Sequence, residues 1–440
     1  MNKIVQMILL LITLIMATEI APNDNRITIT GSYFTKYSDT MVVFQRHTDD
    51  ALAVSPFISK FSAENARTAT GVTIQFKSNS PKITLTFRMM EGENRFGSFA
   101  VFADGELIDE PTFNPKEDSL ISFDINSTSS DSVTYEITMP NWGTITLRGI
   151  MINDSSDISP IEKRNLPRFL AFGNSITHGT KQKGTHQTYP YILAKAMGWK
   201  LNSVAVGGAR TSKTIGDMIR DNIDTIDYMT ILIGYNDYNG EGVDTATYSE
   251  RLHYVVNAIR ATHPNTKIFC ISQTTTTNNE SAKSGIPITD FRKVVQELVS
   301  TRQANGDKNI YLIKGEEITT EENLAEGDAV HFSIEGARNF AEKLTKEIQT
   351  ILDDIAPISS KINYSKSDIK IHQMGNRIEF NNLDAFNSLS IYSLNGREIF
   401  SKNILEKSGI INLSTTQLST GSYLIQLKGK TVVTQKITIR

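Results

Sequence analysis

Three regimes of hydrophobic patterning succeed one another along the chain. From about Asn25 to Asn153 apolar and polar residues alternate, in VTIQFKS at 72–78, KITLTF at 82–87, VTYEITM at 133–139 and TITLRGIMI at 144–152. A period of two marks strands with one face in a core and the other in water. ADGELI at 103–108 sets an Asp-Gly pair between two extended runs, a hairpin signal. No long helical period interrupts the region. The pattern predicts a β-sandwich of the jelly-roll kind over 25–160.

From about Leu166 the pattern changes. Short apolar runs at 168–172, 202–206, 229–234, 267–272 and 310–314 alternate with amphipathic stretches near 189–198, 213–224, 246–261, 289–303 and 334–352. Strand and helix in turn predict a parallel sheet covered on both faces. Five such runs fit a three-layer α/β/α domain of the flavodoxin-like kind over 166–356, with sites beyond the C-terminal ends of its strands. After Pro357 comes a polar bridge, ISSKINYSKSD, and then short strand-like runs return in 388–400, 409–414, 421–429 and 431–439. Asn395-Gly396 and Lys428-Gly429-Lys430 read as hairpin turns. The chain is therefore expected to be multidomain, ending in a small β-sandwich over 365–440.

Composition narrows the choice. A chain of 440 residues with 39% hydrophobic and 21% charged residues is an ordinary globular protein of two or three domains. A net charge of −3 without a basic stripe argues against nucleic acid as a partner. At the N-terminus Lys3 precedes an apolar run from Met7 to Met16, and Ala17 and Thr18 follow. Residues 1–22 read as a secretory signal peptide, with an uncleaved anchor as the alternative. The run is short for a membrane span, so no stable span is expected. The single cysteine, Cys270, excludes an intrachain disulfide, and in the apolar run IFCI it reads as a buried structural thiol.

Candidate chemistry gathers at the strand ends. In FLAFGNSITHG, 169–179, an apolar run stops at Gly173 and Ser175 sits just past it. Gly-Asn-Ser is also ordinary turn material. A serine nucleophile needs a base, an orienter for that base and donors for an oxyanion. If Ser175 opens a helix, its own N–H is one such donor. AVGGART ends the second strand at Gly207-Gly208, where a backbone N–H can approach a ligand closely, although Gly-Gly is also loop filler. ILIGYNDYNG ends the third strand, and Asn236 there is either an oxyanion donor or a turn residue. EGDAVHFSIEG places Asp328 three residues before His331, ahead of the last helix, a spacing that suits orienter and general base. His47, His178, His186, His253, His263 and His372 lack such a partner and read as surface or satisfied core residues. Clustered histidine ligands are missing, so neither a metal nor another cofactor is expected.

In this order and context the residues resemble the SGNH (GDSL-like) hydrolase family over 166–350: Ser175 in GNSIT, Gly208 in VGGA, Asn236 in GYND, and His331 with Asp328 in DAVH. The resemblance implies a nucleophile at Ser175, oxyanion donors at Ser175, Gly208 and Asn236, a base at His331 and its orienter at Asp328. Asn174 departs from the pattern, which usually reads Gly-Asp-Ser there. Asn keeps a short hydrogen-bonding side chain but carries no charge. A β-domain ahead of this unit resembles secreted carbohydrate esterases. The last 75 or so residues, with IYSLNGREIF, INLSTTQLSTGSYLIQL and QKITIR, resemble the C-terminal sorting domain of the type IX secretion system of Bacteroidetes; an adhesive β-module is the alternative. Together these imply a secreted or cell-surface serine esterase. Its expected substrate is an O-acetyl group on carbohydrate, and the type IX machinery is its export partner. A lipase or short-chain acyl esterase of the same fold, and a non-catalytic glycan-binding surface protein, are the competing readings.

Overall fold

Alternation along Thr73–Ser78 and Lys82–Asn94 sends Ile74, Phe76, Ile83, Leu85 and Phe87 into one hydrophobic cluster and their neighbours outward. The computed structural model describes residues 17–355 apart from 128, 130 and 163, together with 370–374, 377–381, 386–393, 398–403, 409–412, 421–429 and 432–439. The apolar run from Met7 to Met16, the polar bridge after Pro357 and the Asn395-Gly396 turn lie outside these residues, as does Lys430 of the second expected turn. The chain divides into two compact units between Ile348 and Gln349. The β region and the α/β region both belong to the first unit.

Two antiparallel six-stranded sheets face that cluster. One runs in the order Leu120–Asn126, Lys82–Asn94, Gly143–Asn153, Val42–Val43, Lys36–Tyr37, with Ala17–Ile20 also paired to Gly143–Asn153. The other runs Ile158–Ser159, Thr73–Ser78, Val133–Thr138, Ala100–Ala103, Glu106–Asp109, with Thr28–Thr30 added beside Thr73–Ser78. The hairpin expected at 103–108 forms, and both of its turn residues, Asp104 and Gly105, are left-handed, as a two-residue hairpin turn demands. The strand expected at 82–87 extends to Asn94: Leu120–Asn126 pairs with it as far as Arg88, and Gly143–Asn153 pairs with it on to Asn94. Three short helices, Asp49–Ala53, Pro56–Ser59 and Ala63–Ala66, interrupt the region.

The α/β region contributes five parallel strands: β1 (Arg168–Gly173), β2 (Lys200–Ser203), β3 (Tyr228–Leu232), β4 (Lys267–Ile271) and β5 (Ile310–Ile313). Their order is β2-β1-β3-β4-β5. The chain reverses direction of progress between β1 and β3, and in such sheets the crevice beyond the strand ends at that point is where ligands bind. Helices α1 (Ser175–His178), α2 (Tyr189–Met197), α3 (Lys213–Asn222), α4 (Thr245–Thr262), α5 (Ile288–Ala304) and α6 (Ile334–Ile355) connect and cover the strands. The core of this region also takes in Ala51, Leu52, Phe61 and Ala66 from the short helices of the β region and the residues beside them. The two regions thus share a core.

The second unit carries two antiparallel sheets. One has Lys370–Met374, Arg377–Asn381 and Gly409–Asn412; the other has Glu398–Asn403, Phe386–Ser393, Gly421–Gly429 and Val432–Ile439. Leu389 and Ile391 on one strand, and Tyr423, Ile425 and Leu427 on its neighbour, are buried at intervals of two.

Candidate active site

β1 ends at Gly173, where a Cβ would lie 2.0 Å from Thr177 Oγ1. Only glycine lets the chain turn that tightly into α1. Asn174 caps this helix, its side-chain oxygen accepting the Ile176 N–H at 3.2 Å, and Gly179 closes it in the left-handed conformation. Ser175 is the first helical residue, so its N–H has no acceptor within the helix. Its Oγ lies 2.7 Å from His331 Nε2.

His331 is held from below by a compact turn. Asp328 accepts the backbone N–H groups of Val330 (3.0 Å) and His331 (2.9 Å), and both carboxylate oxygens lie 3.0 Å from His331 Nδ1. Burial pushes the Asp328 carboxyl up, but the two backbone N–H donors and the imidazole outweigh it and hold the group well below the usual carboxylate range. An ionised Asp328 fixes the proton on Nδ1, which leaves Nε2 free to accept from Ser175. The loop itself is pinned: Thr277 N–H and Thr276 Oγ1 donate to Ala329 O, and Gln182 Nε2 donates to Phe332 O at 2.7 Å. Lys181 Nζ stands 3.4 Å from Asp328 Oδ2.

The Gly208 and Asn236 candidates come to the same edge. Beyond β2 the chain continues through Val204 and Val206, whose N–H groups bond to Ala171 and Gly173 of β1, and then turns. Ala209 N–H closes that turn on Val206 O at 3.0 Å, and Gly208 has φ +79°. These are the marks of a type II turn, which needs glycine at its third position. Gly208 is exposed, and among the described residues its N–H has no protein acceptor. Asn236 opens a π-helical turn, Asn236–Glu241, after β3. One of its amide hydrogens goes to Ala209 O at 2.9 Å, which leaves the other for a ligand. Asp237 is fully buried beneath it, accepting from Thr211 N (2.8 Å) and Thr211 Oγ1 (3.0 Å) and paired with Arg251 at 2.8 Å. Burial raises the Asp237 carboxyl, and Thr211 and Arg251 offset this only in part.

Several residues at this edge carried no signal in the sequence. His178 is fully buried and fully bonded, the satisfied core histidine expected of it, yet it touches the turn: its Nδ1 accepts the Gly207 N–H at 2.8 Å. The proton is therefore on Nε2, near Asn141 O (3.0 Å) and Thr68 Oγ1 (2.9 Å). Burial holds this ring neutral. It stacks on Trp142 with centroids 4.0 Å apart, and a Cβ on Gly207 would collide with the same indole at 2.0 Å. Arg46, 1% exposed, donates to Ser203 O and Ala205 O of the second strand's exit and to Ala66 O and Thr68 O. Asn65 Nδ2 donates to Gly207 O at 2.9 Å. Arg46, Asn65, Thr68, Asn141 and Trp142 all come from the β region, more than 30 residues from the strand ends they support. No local motif could have announced them. Cys270 is buried, and burial pushes its thiol up to about 12. Among the described residues no cluster of His, Cys, Asp or Glu could hold a metal, and no helix is long and apolar enough to cross a membrane.

Comparison with known proteins bears on the family and the fold. Residues 171–338 match the GDSL-like lipase/acylhydrolase family, and residues 365–440 match the secretion system C-terminal sorting domain. Comparison with curated protein sequences gives no match. Among solved structures, the salicylyl-acyltransferase SsfX3 from a tetracycline biosynthetic pathway is similar at 20% identity, with 78% of this chain and 99% of that one covered and a TM-score of 0.67. A Bacteroides ovatus protein assigned as a GDSL-like lipase follows at 18%, with coverage of 77% and 98% and a TM-score of 0.62. A family two carbohydrate esterase from Cellvibrio japonicus is similar at 16%, with coverage of 77% and 98% and a TM-score of 0.56. At these identities the likeness is one of fold.

Proposed function

Because the chain carries a GDSL-like lipase/acylhydrolase domain and a C-terminal sorting domain that directs it to the cell surface or medium, we propose that it is an exported serine esterase that removes O-acetyl groups from carbohydrate. The observation that carries this reading is the unbroken chain Ser175 Oγ to His331 Nε2 at 2.7 Å and His331 Nδ1 to the Asp328 carboxylate at 3.0 Å. A non-catalytic scaffold has no need to keep that alignment. In the reaction His331 takes the Ser175 proton as Oγ attacks the ester carbonyl, and Asp328 stabilises the imidazolium that forms. The Ser175 and Gly208 N–H groups and the Asn236 amide receive the oxyanion. His331 then gives its proton to the leaving alcohol. Water, deprotonated by the same ring, releases the acyl group and frees Ser175.

Carbohydrate is favoured over lipid by the rim. The segment Gln273–Ile288 is polar, and it is tied down: Asn278 Nδ2 donates to the Tyr235 hydroxyl at 2.7 Å and Ser281 Oγ donates to Tyr238 O at 2.7 Å. A polar, fastened rim suits hydroxyl-rich substrate better than an acyl chain, which calls for a mobile apolar cover. The β region belongs to the same unit, and we read it as a jelly roll like that of secreted carbohydrate esterases. Acetate release from a panel of acetylated polysaccharides, beside long-chain acyl glycerides, tests the substrate. Acetate from at least one polysaccharide and no fatty acid release is expected; turnover of the glycerides alone would replace this reading with a lipase.

A further inference from the structure

The turn Val206-Gly207-Gly208-Ala209 poses a problem for any reading in which the Gly208 N–H receives an oxyanion. A type I and a type II turn differ mainly by a half-rotation of the central peptide, here the one joining Gly207 to Gly208. With glycine on both sides, neither orientation meets a steric barrier from a side chain. In a trans peptide the C=O and N–H point in opposite directions. Whatever holds the Gly207 carbonyl therefore decides where the Gly208 N–H points. The closure of the turn by Ala209 N–H on Val206 O is common to both forms and does not choose between them. The His178 contact does not choose either, because it grips the preceding peptide through the Gly207 N–H.

One group in the described structure does choose. The Asn65 side-chain amide donates to Gly207 O at 2.9 Å, and the same nitrogen lies 4.0 Å from the position a Gly208 Cβ would occupy. Asn65 stands on the short helix Ala63–Ala66 of the β region, 142 residues from its partner in sequence. That helix is fixed at its start by Ser62, whose hydroxyl accepts the Asn65 N–H, and beyond its end by Thr68, whose hydroxyl donates to Asn65 O. Asn65 is half-buried. We propose that Asn65 is a positioning residue that locks the Gly207–Gly208 peptide with its N–H toward Ser175. The β region would thereby supply part of the machinery that receives the oxyanion. This inference rests on the serine-esterase reading above.

The test compares wild type with Asn65→Ala and Asn65→Asp on 4-nitrophenyl acetate, with binding of a boronic acid transition-state mimic measured alongside. Alanine frees the peptide, so kcat should fall about 10- to 100-fold with KM within about twofold. That is less than the about 10²–10³ that follows outright loss of a donor. Aspartate should do worse than alanine, because its carboxylate repels the Gly207 carbonyl and attracts the reversed Gly208 N–H. Affinity for the boronic acid should fall in step with kcat in both variants, and the melting temperature should stay close to wild type. A general packing role would not rank aspartate below alanine or move the mimic with kcat. If the alanine variant melts early, the isosteric Asn65→Leu and Asn65→Asp carry the same comparison. An active wild type with kcat within twofold in Asn65→Ala overturns this inference and leaves the esterase reading standing. A wild type that hydrolyses no ester and whose Ser175 no phosphonate labels removes both.

Discussion

Asn174 occupies the position at which the acylhydrolase pattern usually carries Asp. Its use in this chain is local: its side-chain oxygen accepts the Ile176 N–H and so starts the helix that presents Ser175. An amide oxygen caps as well as a carboxylate does. No negative charge is needed for that task, and Asp328 supplies the charge that the imidazole needs. Asn174→Ala removes the cap and should cost about 1 kcal/mol in a urea melt, together with a fall in kcat, since the Ser175 N–H is aimed by the same turn. A variant with wild-type stability and kcat would show that the cap is idle. Ser175, Asp328 and His331 were legible in the sequence because their relation is written in short spacings next to apolar runs. Asn236 and Gly208 were legible for the same reason. Asn65, Arg46 and Trp142 were not, because the contacts that give them meaning join segments far apart in the chain.

At the scale of elements, the five parallel strands and the long helices followed the pattern closely, since a buried parallel strand is a short apolar run and each covering helix is amphipathic. The edge strands escaped it. Ala17–Ile20 and Thr28–Thr30 are short and largely unburied, so their composition carries little alternation. Arg88–Asn94 continues a strand through a polar run because Gly143–Asn153 still pairs with it, on one side only beyond Arg88, and pairing, unlike burial, leaves no trace in hydropathy. Val204–Val206 is as buried as a strand, and its N–H groups still bond to Ala171 and Gly173, but the regular strand ends at Ser203 and the chain leads from here into the turn that carries Gly208. The three short helices of the β region are too brief to show a period, yet one of them bears Asn65 and all lie beside the shared core. The elements most easily read thus build the frame, and those least easily read adjust the site.

On the scale of the whole molecule, the β region and the α/β region fold as one unit, joined through buried groups that answer to acid. His47 is fully buried with its Nε2 3.2 Å from Val204 O, and burial beside Arg46 brings its ring down to about 3; His178 is likewise held well below its ordinary value by burial. Both stay neutral in the fold, whereas the unfolded chain protonates them below about 6.5. The unfolded state then binds more protons, so stability is complete above that value and falls as the pH drops from about 6.5 toward about 3. Each ring should contribute a slope of about 1.4 kcal/mol per pH unit. Urea melts between pH 7.5 and 5 should show this decline, and His47→Gln should flatten it by one proton; a flat profile in the wild type would contradict it. Asp328 stays ionised in the fold throughout this window, so the decline does not come from its pairing with His331. The assignment of Ser175 as nucleophile is checked by intact and peptide mass measurement after exposure of the folded protein to a fluorophosphonate. A single adduct on Ser175 is expected, absent from Ser175→Ala and strongly slowed in His331→Ala. A folded wild-type protein that takes up no label, or that takes it up on another residue, would contradict it.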